Sequence, residues 1–473
     1  MVFRILSRKI KHLLIFFVII STFTNAFSAT TRSEIQYLVK KYGVSSAKIS
    51  IASQRTQSGK NLYSYAKNRN MIPASNNKVF TMVAALLTLP SNFRFSTTVN
   101  YNSNSVKKHV LYGDLYVQFS GNPSLTGSQL AALIRKIKTE KEIRQITGNV
   151  YLVGVFSGPY IPEGWSREDS ALCFGAPASS FTLNRNCTVI KLSKNPGSLS
   201  TKVIKISNAS NIDIRNSATY TSSSKSTQIS MNDNNQIYIS GYLSRTAEKM
   251  FSLAIKNPAL KTLDTVDDFL SANGIKHHSV SITGSIPPGY QVQLSTNSAT
   301  IGTLIDRTLK HSDNLYAETI LNTVGLKTKG IGSTKAGVEA VQDIFYNKLH
   351  LNTTGLSMHD GSGLSSLDRV TPQFMVNFLS KAFNSKVGRK FYNYLPASGM
   401  DGTIAYRMGG KLLGKVHAKT GTLQGVSTLS GYVLTAKNHR ISFSIMLNDL
   451  TYSQRRNARR FQDKVVNVFY RYL

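Results

Sequence analysis

The chain has 473 residues, of which 41% are hydrophobic and 10% aromatic. This composition excludes a disordered protein, and the length exceeds that of one ordinary domain, so we expect two or three domains. The 57 basic and 23 acidic residues give a formal net charge of +34, which favours a polyanionic neighbour. The sequence has no basic tract with interleaved aromatic residues and no zinc-finger or RNA-binding signature, which argues against nucleic acid. A generally basic proteome is the alternative explanation of the charge.

The first 28 residues are typical of a secretory signal peptide. A basic segment precedes the short apolar run Leu13–Ile20, and the small residues Ala26 and Ser28 offer a cleavage site. The alternative is an uncleaved membrane anchor, for which the run is short, since a span needs about 20 residues. We therefore expect export to the periplasm. An exported protein of this charge would meet anionic lipid, lipopolysaccharide or cell-wall polymer, which leaves peripheral contact with the membrane or the anionic envelope open.

The first half of the chain is predicted to be rich in strands. A hairpin is expected from Lys48–Ser53 and Leu62–Tyr65, and a buried helix from near Ser75 to Pro90, where the residues are apolar nearly all round. From about residue 92 to 292, strand-like runs surround one helix candidate, Gly127–Thr139. These runs are Leu111–Phe119, Asn149–Val155, Val203–Ile206 and Gln236–Gly241.

Helical patterns return after residue 293. They predict helices at Ala299–Lys310, Asp313–Val324, Thr334–Leu349 and Thr371–Asn384. Antiparallel strands are predicted at Gly414–His417, Leu429–Thr435 and Arg440–Leu447. A basic amphipathic helix, Ser453–Tyr470, closes the chain. Such a helix can lie on a membrane, but we interpret its apolar face as packing on the sheet of its own domain.

Three short motifs occur in an order that few unrelated sequences would share. They are Ser-x-x-Lys at Ser75–Lys78, Ser-Asp-Asn at Ser312–Asn314 and Lys-Thr-Gly at Lys419–Gly421. The first pattern recurs elsewhere in the chain, whereas the second and third each occur once. The combined order is therefore what indicates a function.

The first motif has the residues of an activated serine nucleophile. Ser75 and Lys78 lie on one face of a helix, and the lysine amine can remove the hydroxyl proton once desolvation lowers its pKa. The helix N-terminus would offer backbone N–H groups to a developing oxyanion. Ser75 alone could equally be a helix N-cap.

The second motif is expected in a loop beside the following helix. Ser312 could relay a proton to a leaving amine, while Asn314 holds Lys78 and a substrate carbonyl. A plain helix cap at Ser312 and Asp313, with Asn314 on the solvated surface, is the alternative.

The third motif is expected between strand-like segments, beside a groove. Lys419 and Thr420 would recognise a carboxylate, Gly421 would allow a ligand to approach the backbone, and the Thr422 N–H could be the second oxyanion donor. An ordinary strand end is the alternative.

The motifs resemble those of penicillin-binding proteins and serine β-lactamases. They resemble most closely the D-alanyl-D-alanine carboxypeptidases/endopeptidases of the penicillin-binding protein 4 (DacB) type, which are class C low-molecular-mass penicillin-binding proteins. The long interval from Ser75 to Ser312 is the strongest sign, because that family places two extra domains there. Four further strings fit, and the resemblance covers essentially all of the mature chain. The strings are Gly121–Leu125, Ala317–Glu318, Asp360–Ser365 and Asp401–Thr403.

The resemblance implies an α/β fold with a β-lactamase/transpeptidase-like domain and two inserted mainly-β domains. The catalytic domain would be built from residues 29–92 and 293–473. One inserted domain would comprise residues 93–195 and 246–292, and the other residues 196–245. No cofactor and no metal are implied.

The implied activity is that of a serine D-alanyl-D-alanine carboxypeptidase/endopeptidase. It would act on peptidoglycan peptides and cross-links through an acyl-serine, with β-lactams as inhibitors. The alternatives are a serine β-lactamase or esterase on the same fold, and a non-catalytic cell-envelope binding protein. Glu318–Asn322 mimics the deacylating Glu-x-x-Leu-Asn of class A β-lactamases. We interpret that match as coincidence, because it follows Asn314 on the same predicted helix.

The resemblance also implies a reader of diaminopimelate. Asp169 would bind the ammonium group of that residue, with Phe174 and Gln424 as neighbours. A loop carboxylate paired with a lysine of this basic protein is the alternative. Cys173 and Cys187 are the only cysteines, and in an exported chain they can form one disulfide, with two free thiols as the alternative.

Overall fold

A computed structural model describes residues 30–156, 161–208 and 210–473. The predicted signal peptide, residues 1–28, lies outside the described residues. Within the described ranges, no helix combines the length and the apolar character that crossing a bilayer requires.

The described α-helices are numbered α1 to α11 in chain order. They are 30–41, Lys78–Thr88, Gly127–Thr139, Arg167–Ser170, Pro258–Ala272, Ile301–His311, Asn314–Lys329, Thr334–Leu349, Pro372–Phe383, Gly388–Tyr394 and Gln454–Tyr472. The helices predicted from the sequence are present, Gly127–Thr139 and Thr334–Leu349 with the predicted bounds and the others with shifted ends. The patterns do not predict α1, the short α4, α5 or α10.

The described strands are numbered β1 to β22. They are Lys48–Arg55, Asn61–Tyr65, Ser96–Tyr101, Val106–Lys107, Val110–Leu111, Leu115–Phe119, Gln145–Ile146, Val150–Gly154, Cys187–Lys194, Thr201–Ser207, Ile214–Asn216, Thr219–Thr221, Thr227–Met231, Ile237–Ser244, Glu248–Ala254, Val280–Thr283, Gln291–Asn297, Leu356–Ser357, Arg369–Val370, Val416–Leu423, Val426–Leu434 and Arg440–Asn448. One predicted strand, Leu111–Phe119, is interrupted between β5 and β6 at Gly113, whose φ of 137° favours glycine over residues with a side chain.

The first and last parts of the described chain share one antiparallel sheet. Its strand order is β2-β1-β22-β21-β20, so β20 lies at an edge. Phe461 and Val465 of α11 are fully buried in one cluster with Ile51 and Phe443 of the sheet. The interpretation of the terminal helix as a packed helix of this domain is therefore confirmed.

A second core encloses α2 among the helices of the same unit. The ring of Phe80 lies between Phe345 of α8 and Phe378 of α9, with ring centroids 6.0 and 4.7 Å away. Every residue of α2 from Lys78 to Ala85 is buried. Because such a core is close-packed, α2 is a rigid support for the residues that precede it.

The segment between Ser96 and Asn297 contains mixed sheets and two substantial helices. A five-stranded sheet has the order β16-β8-β6-β3-β17, with β8 parallel to both β6 and β16. Helices α3 and α5 contribute to its core. Smaller sheets have the orders β10-β9-β15 and β11-β14-β12, with β13 beside β14. The proposed domain boundaries remain a prediction, and β10 and β9 pair across the one at residue 195.

Candidate active site

Ser75 lies in a short 3₁₀ helix, Ala74–Asn77, and the α-helix begins one residue later at Lys78. The predicted start of the α-helix is therefore slightly early. Pro73 is the N-cap residue of the 3₁₀ helix and Asn77 that of the α-helix, and neither N-cap makes a side-chain capping hydrogen bond. The alternative role of Ser75 as an N-cap is wrong, and its hydroxyl is available for other contacts.

Lys78 joins three separate parts of the chain. Its Nζ donates hydrogen bonds to Ser75 Oγ at 3.0 Å, Asn314 Oδ1 at 2.6 Å and the Ser362 carbonyl at 2.7 Å. The residue is fully buried. Burial lowers the pKa of Lys78 to about 8, although nearby carboxylates, Asp360 first, act in the opposite direction. With a pKa lowered to about 8, part of the amine is neutral near neutral pH, and that neutral form can accept the Ser75 proton.

The two asparagines between Ser75 and Lys78 hold the turn in place. Asn76 Nδ2 donates to the Lys419 carbonyl at 3.0 Å, and Asn77 Nδ2 donates to the Asp360 carbonyl at 2.8 Å. Both asparagines are fully buried. Through these two bonds the first motif contacts the third motif and the segment that begins at Asp360.

The second motif joins α6 to α7, with Ser312 and Asp313 as the two residues between the helices. Ser312 adopts a left-handed conformation with φ 58° and ends α6, while Asp313 caps α7. The cap interpretation is therefore right for Asp313, which also pairs with Arg185 at 2.8 Å. The expected loop position is wrong for Asn314, which is the first residue of α7.

The side chains on either side of Asp313 point into the site. Asn314 contacts Lys78 through Oδ1, and its Nδ2 donates to the Phe174 carbonyl at 2.8 Å. Ser312 Oγ accepts a hydrogen bond from Lys419 Nζ at 2.9 Å. The second motif thus connects the lysines of the first and third.

The third motif lies within the edge strand β20, so the expected position between strands is wrong. Lys419 is fully buried, and its Nζ also donates to the Thr420 carbonyl at 2.9 Å. Burial lowers the pKa of Lys419 well below its ordinary value, and the charge of Lys78 lowers it further. Thr420 Oγ1 donates to Thr403 Oγ1 at 2.8 Å, and the Thr422 side chain is exposed.

Gly421 is required by packing within the protein. A Cβ atom there would lie 2.2 Å from Thr428 Oγ1 and 2.6 Å from the Pro73 carbonyl oxygen. The missing side chain lets β20 contact the segment that carries Ser75. Close approach by a ligand, the reason expected from the sequence, stays a prediction.

The three motifs open onto one cavity of about 340 Å³. Ser75, Ser312 and residues 420–422 of β20 border this cavity. Its lining is Ser75, Ser312, Thr403, Arg407, Thr420, Gly421, Thr422, Ser427, Thr428 and Arg459.

Asp360, which the sequence marks only as the start of the string Asp360–Ser365, has a structural role in the site that the motifs do not predict. Its carboxylate accepts hydrogen bonds from the backbone N–H groups of Gly363, Leu364 and Ser365, and from Trp165 Nε1 at 2.8 Å. These bonds shape the loop whose Ser362 carbonyl accepts from Lys78. The turn-forming letters Asp-Gly-Ser-Gly could have indicated such a loop.

Glu318 lies behind Lys78, outside the lining of the cavity. It is buried, and its two carboxylate oxygens accept from the Gly361 N–H at 3.0 Å each. Burial raises the pKa of Glu318 to about 8, with the Asp360 carboxylate as a second cause. This contact stabilises the Asp360 loop, which supports the interpretation of the β-lactamase-like string as coincidence.

The predicted diaminopimelate reader is connected to the same loop. Asp169 lies in α4 and is partly buried, and among the described residues no lysine forms an ion pair with it. Ser366 N–H donates to the Gly164 carbonyl at 3.0 Å, and Trp165 contacts Asp360. These two bonds fix the start of the segment that carries Asp169.

Phe174 and Gln424 are exposed. Phe174 is held by its carbonyl contact with Asn314, whereas Gln424 lies in the turn between β20 and β21. A disulfide joins Cys173 and Cys187, whose Cα atoms are 5.1 Å apart. It attaches the Phe174 segment to the start of β9.

A comparison with protein families decides the classification. The model of the D-Ala-D-Ala carboxypeptidase 3 (S13) family matches residues 32–468. The chain belongs to this family. The expected resemblance and the assignment as a serine D-alanyl-D-alanine carboxypeptidase are confirmed.

Similar proteins support this classification over most of the length of this chain. The D-alanyl-D-alanine carboxypeptidase DacB of Haemophilus influenzae is 28% identical, covering 90% of this chain and 94% of that protein. The crystal structure of penicillin binding protein 4 (dacB) from the same organism has a TM-score of 0.84 at 26% identity, covering 92% and 99%. Its complex with a novel β-lactam has a TM-score of 0.80 at 25% identity, with the same coverage. The predicted fold class is therefore confirmed.

Proposed function

We propose that Ser75 is the acylated nucleophile of this carboxypeptidase, and that the enzyme also cleaves D-Ala–diaminopimelate cross-links. The observation that carries the proposal is the contact of Lys78 Nζ with both Ser75 Oγ and Asn314 Oδ1. It supports a general base directly beside a hydroxyl, at one end of the cavity that the third motif borders. We propose peptidoglycan peptides as the substrates.

Acylation begins when neutral Lys78 accepts the Ser75 proton and Ser75 Oγ attacks the carbonyl of the penultimate D-alanine. The backbone N–H groups of Ser75 and Thr422 stabilise the oxyanion. The proton reaches the leaving amine through Ser312, whose Oγ contacts Lys419. The amide bond breaks, and D-alanine or the cross-linked diaminopimelate leaves.

Deacylation reverses the direction of proton transfer. A water molecule loses its proton to Lys78 and attacks the acyl-serine carbonyl, and Ser75 regains a proton as the ester bond breaks. Asn314 keeps Lys78 oriented in both steps. β-Lactams are proposed to acylate Ser75 in the same way, as the complex of the Haemophilus influenzae protein supports.

Two alternatives are less well supported. A β-lactamase of the class A type would need a deacylating carboxylate at the cavity, but Glu318 contacts Gly361 behind Lys78. A non-catalytic binding protein would not need the contacts that place both lysines beside serine hydroxyls.

We propose the periplasm as the location, on the basis of the signal-like residues 1–28. Contact of the basic surface with the membrane or with anionic envelope polymers is also a proposal. Neither bears on the chemistry of the site.

The first prediction concerns the nucleophile and its base. Ser75→Ala should abolish covalent labelling by a fluorescent penicillin, and Lys78→Ala should slow it by about 10²–10⁴-fold, because a positioned base is removed. Gel fluorescence and intact-protein mass spectrometry measure the adduct. Ser222→Ala is the matched control, since Ser222 also begins a Ser-x-x-Lys string and is exposed. Full labelling of Ser75→Ala would overturn the mechanism.

The second prediction concerns pH. Because the neutral amine of Lys78 is the base and its pKa is about 8, penicillin acylation should rise roughly tenfold per pH unit below that value and level off above it. Stopped-time labelling between about pH 6 and pH 10 measures the profile, with circular dichroism as the control for folding. A flat profile, or one that rises only near the ordinary pKa of lysine, would contradict the assignment.

The third prediction concerns the diaminopimelate reader. Asp169→Asn should slow cleavage of diaminopimelate-containing peptides by roughly tenfold to a hundredfold, since a charged hydrogen bond is lost. Penicillin acylation lacks that contact and should change far less. Liquid chromatography of muropeptides gives the first rate, and Glu168→Gln is the neighbouring control. An equal fall in both rates would show that Asp169 is only structural.

A further inference from the structure

Two arginines complete one end of the active-site cavity. Arg407 and Arg459 line it together with Ser75, Thr420 and Thr422. Arg459 belongs to α11, so the C-terminal helix contributes to the same cavity as the edge strand. None of the three motifs includes either arginine.

Arg407 is fixed and largely neutralised. Its Nε and Nη2 donate to Asp463 Oδ1 at 3.0 and 2.8 Å, and Nη2 also donates to Gln462 Oε1 at 3.2 Å. The same Nη2 contacts the Arg459 carbonyl at 3.3 Å. Arg407 therefore holds the turn of α11 that carries Arg459, but has little charge left for a ligand.

Arg459 has the opposite character. Its side chain is exposed, and no described residue forms an ion pair or a hydrogen bond with its guanidinium group. Its backbone is well supported, because the neighbouring residues Ala458 and Phe461 are fully buried. Gln462 Nε2 also donates to Ser427 Oγ at 3.2 Å. A free cation thus projects from a fixed backbone beside the cavity.

The cavity needs such a cation. Lys419 is fully buried, its Nζ is occupied by Ser312 and Thr420, and burial lowers its pKa. A guanidinium group stays protonated at any physiological pH and matches a carboxylate in two hydrogen bonds. A substrate ending in D-alanine has a carboxylate next to the scissile amide, and the amino acid released from a D-Ala–diaminopimelate cross-link has one next to its amine.

We infer that Arg459 is a specificity-determining residue that binds the free carboxylate beside the scissile amide, with the hydroxyl groups of Thr420 and Thr422 as partners. This inference rests on the proposed function of the site. Arg407 acts as a positioning residue, since its hydrogen bonds to Asp463 and to the Arg459 carbonyl fix the turn of α11 that carries Arg459.

The test compares two peptides that differ only at the leaving end. One ends in D-Ala-D-Ala with a free carboxylate, and the other ends in D-Ala-D-Ala amide. Arg459→Ala should lower kcat/KM for the acid by about tenfold or more, as expected for a lost charged hydrogen bond. It should leave kcat/KM for the amide within about twofold, since the amide has no charge to lose.

Two further variants sharpen the comparison. Arg459→Lys should retain part of the preference for the acid, because it keeps the charge without the planar fork. Arg460→Ala should behave as the wild type. Arg460 is the next residue of α11 and is also exposed, but it lines a different cavity with Lys411 and Lys464.

A second measurement does not depend on peptide turnover. The acylation rates of penicillin G and its methyl ester should differ less in Arg459→Ala than in the wild type, as measured by intact-protein mass spectrometry. An unchanged acid-to-amide ratio in Arg459→Ala, whether both rates fall or neither does, would overturn this assignment alone. Absence of hydrolysis and of acylation by the wild type would overturn the proposed function together with it.

Discussion

A buried lysine amine holds the site together. Lys78 donates to Ser75, to Asn314 at the start of α7 and to the Ser362 carbonyl, so three distant segments meet at one nitrogen atom. Burying an amine without partners would be costly. These hydrogen bonds reduce that cost, and the remaining penalty lowers the pKa of Lys78 to about 8. The constraint that orients the site is thus also the one that makes the amine a base.

Several buried carboxylates from other segments of the chain surround Lys78. Asp360 organises the loop that offers the Ser362 carbonyl, and Glu318 and Asp368 are buried nearby. Burial raises the pKa of both Glu318 and Asp368, so neither is a simple counter-ion of the lysine. Since Trp165 binds Asp360, the inserted segment is connected through one carboxylate to the loop that holds Lys78.

The nucleophile, its base and the order of the motifs could be predicted because each depends on residues adjacent in sequence. Helices with strong 3.6-residue periodicity, such as α3 and α6, could be predicted for the same reason. Helix α5 was missed amid strand-like runs, although Asn257 and Pro258 form a recognisable start.

The residues that sequence reasoning missed depend on tertiary contacts. Asp360 acts through loop geometry, and Arg459 lines the cavity only because the fold brings α11 close to Thr420 and Thr422. Gly421 shows the same limit, although the third motif includes it. The packing against Thr428 and Pro73 that requires a glycine there can be recognised only in the folded chain.

The mechanism depends on a Lys78 amine whose pKa is lowered to about 8, so that part of it is neutral and able to act as a base at physiological pH. Its protonation can be measured directly by NMR titration of protein labelled with ¹³C at the lysine ε position, with the Lys78 signal assigned by its loss in Lys78→Ala. The structure predicts a midpoint near 8 for that signal, against about 10.4 for an ordinary lysine. A Lys78 signal that titrates at the ordinary value would contradict the account.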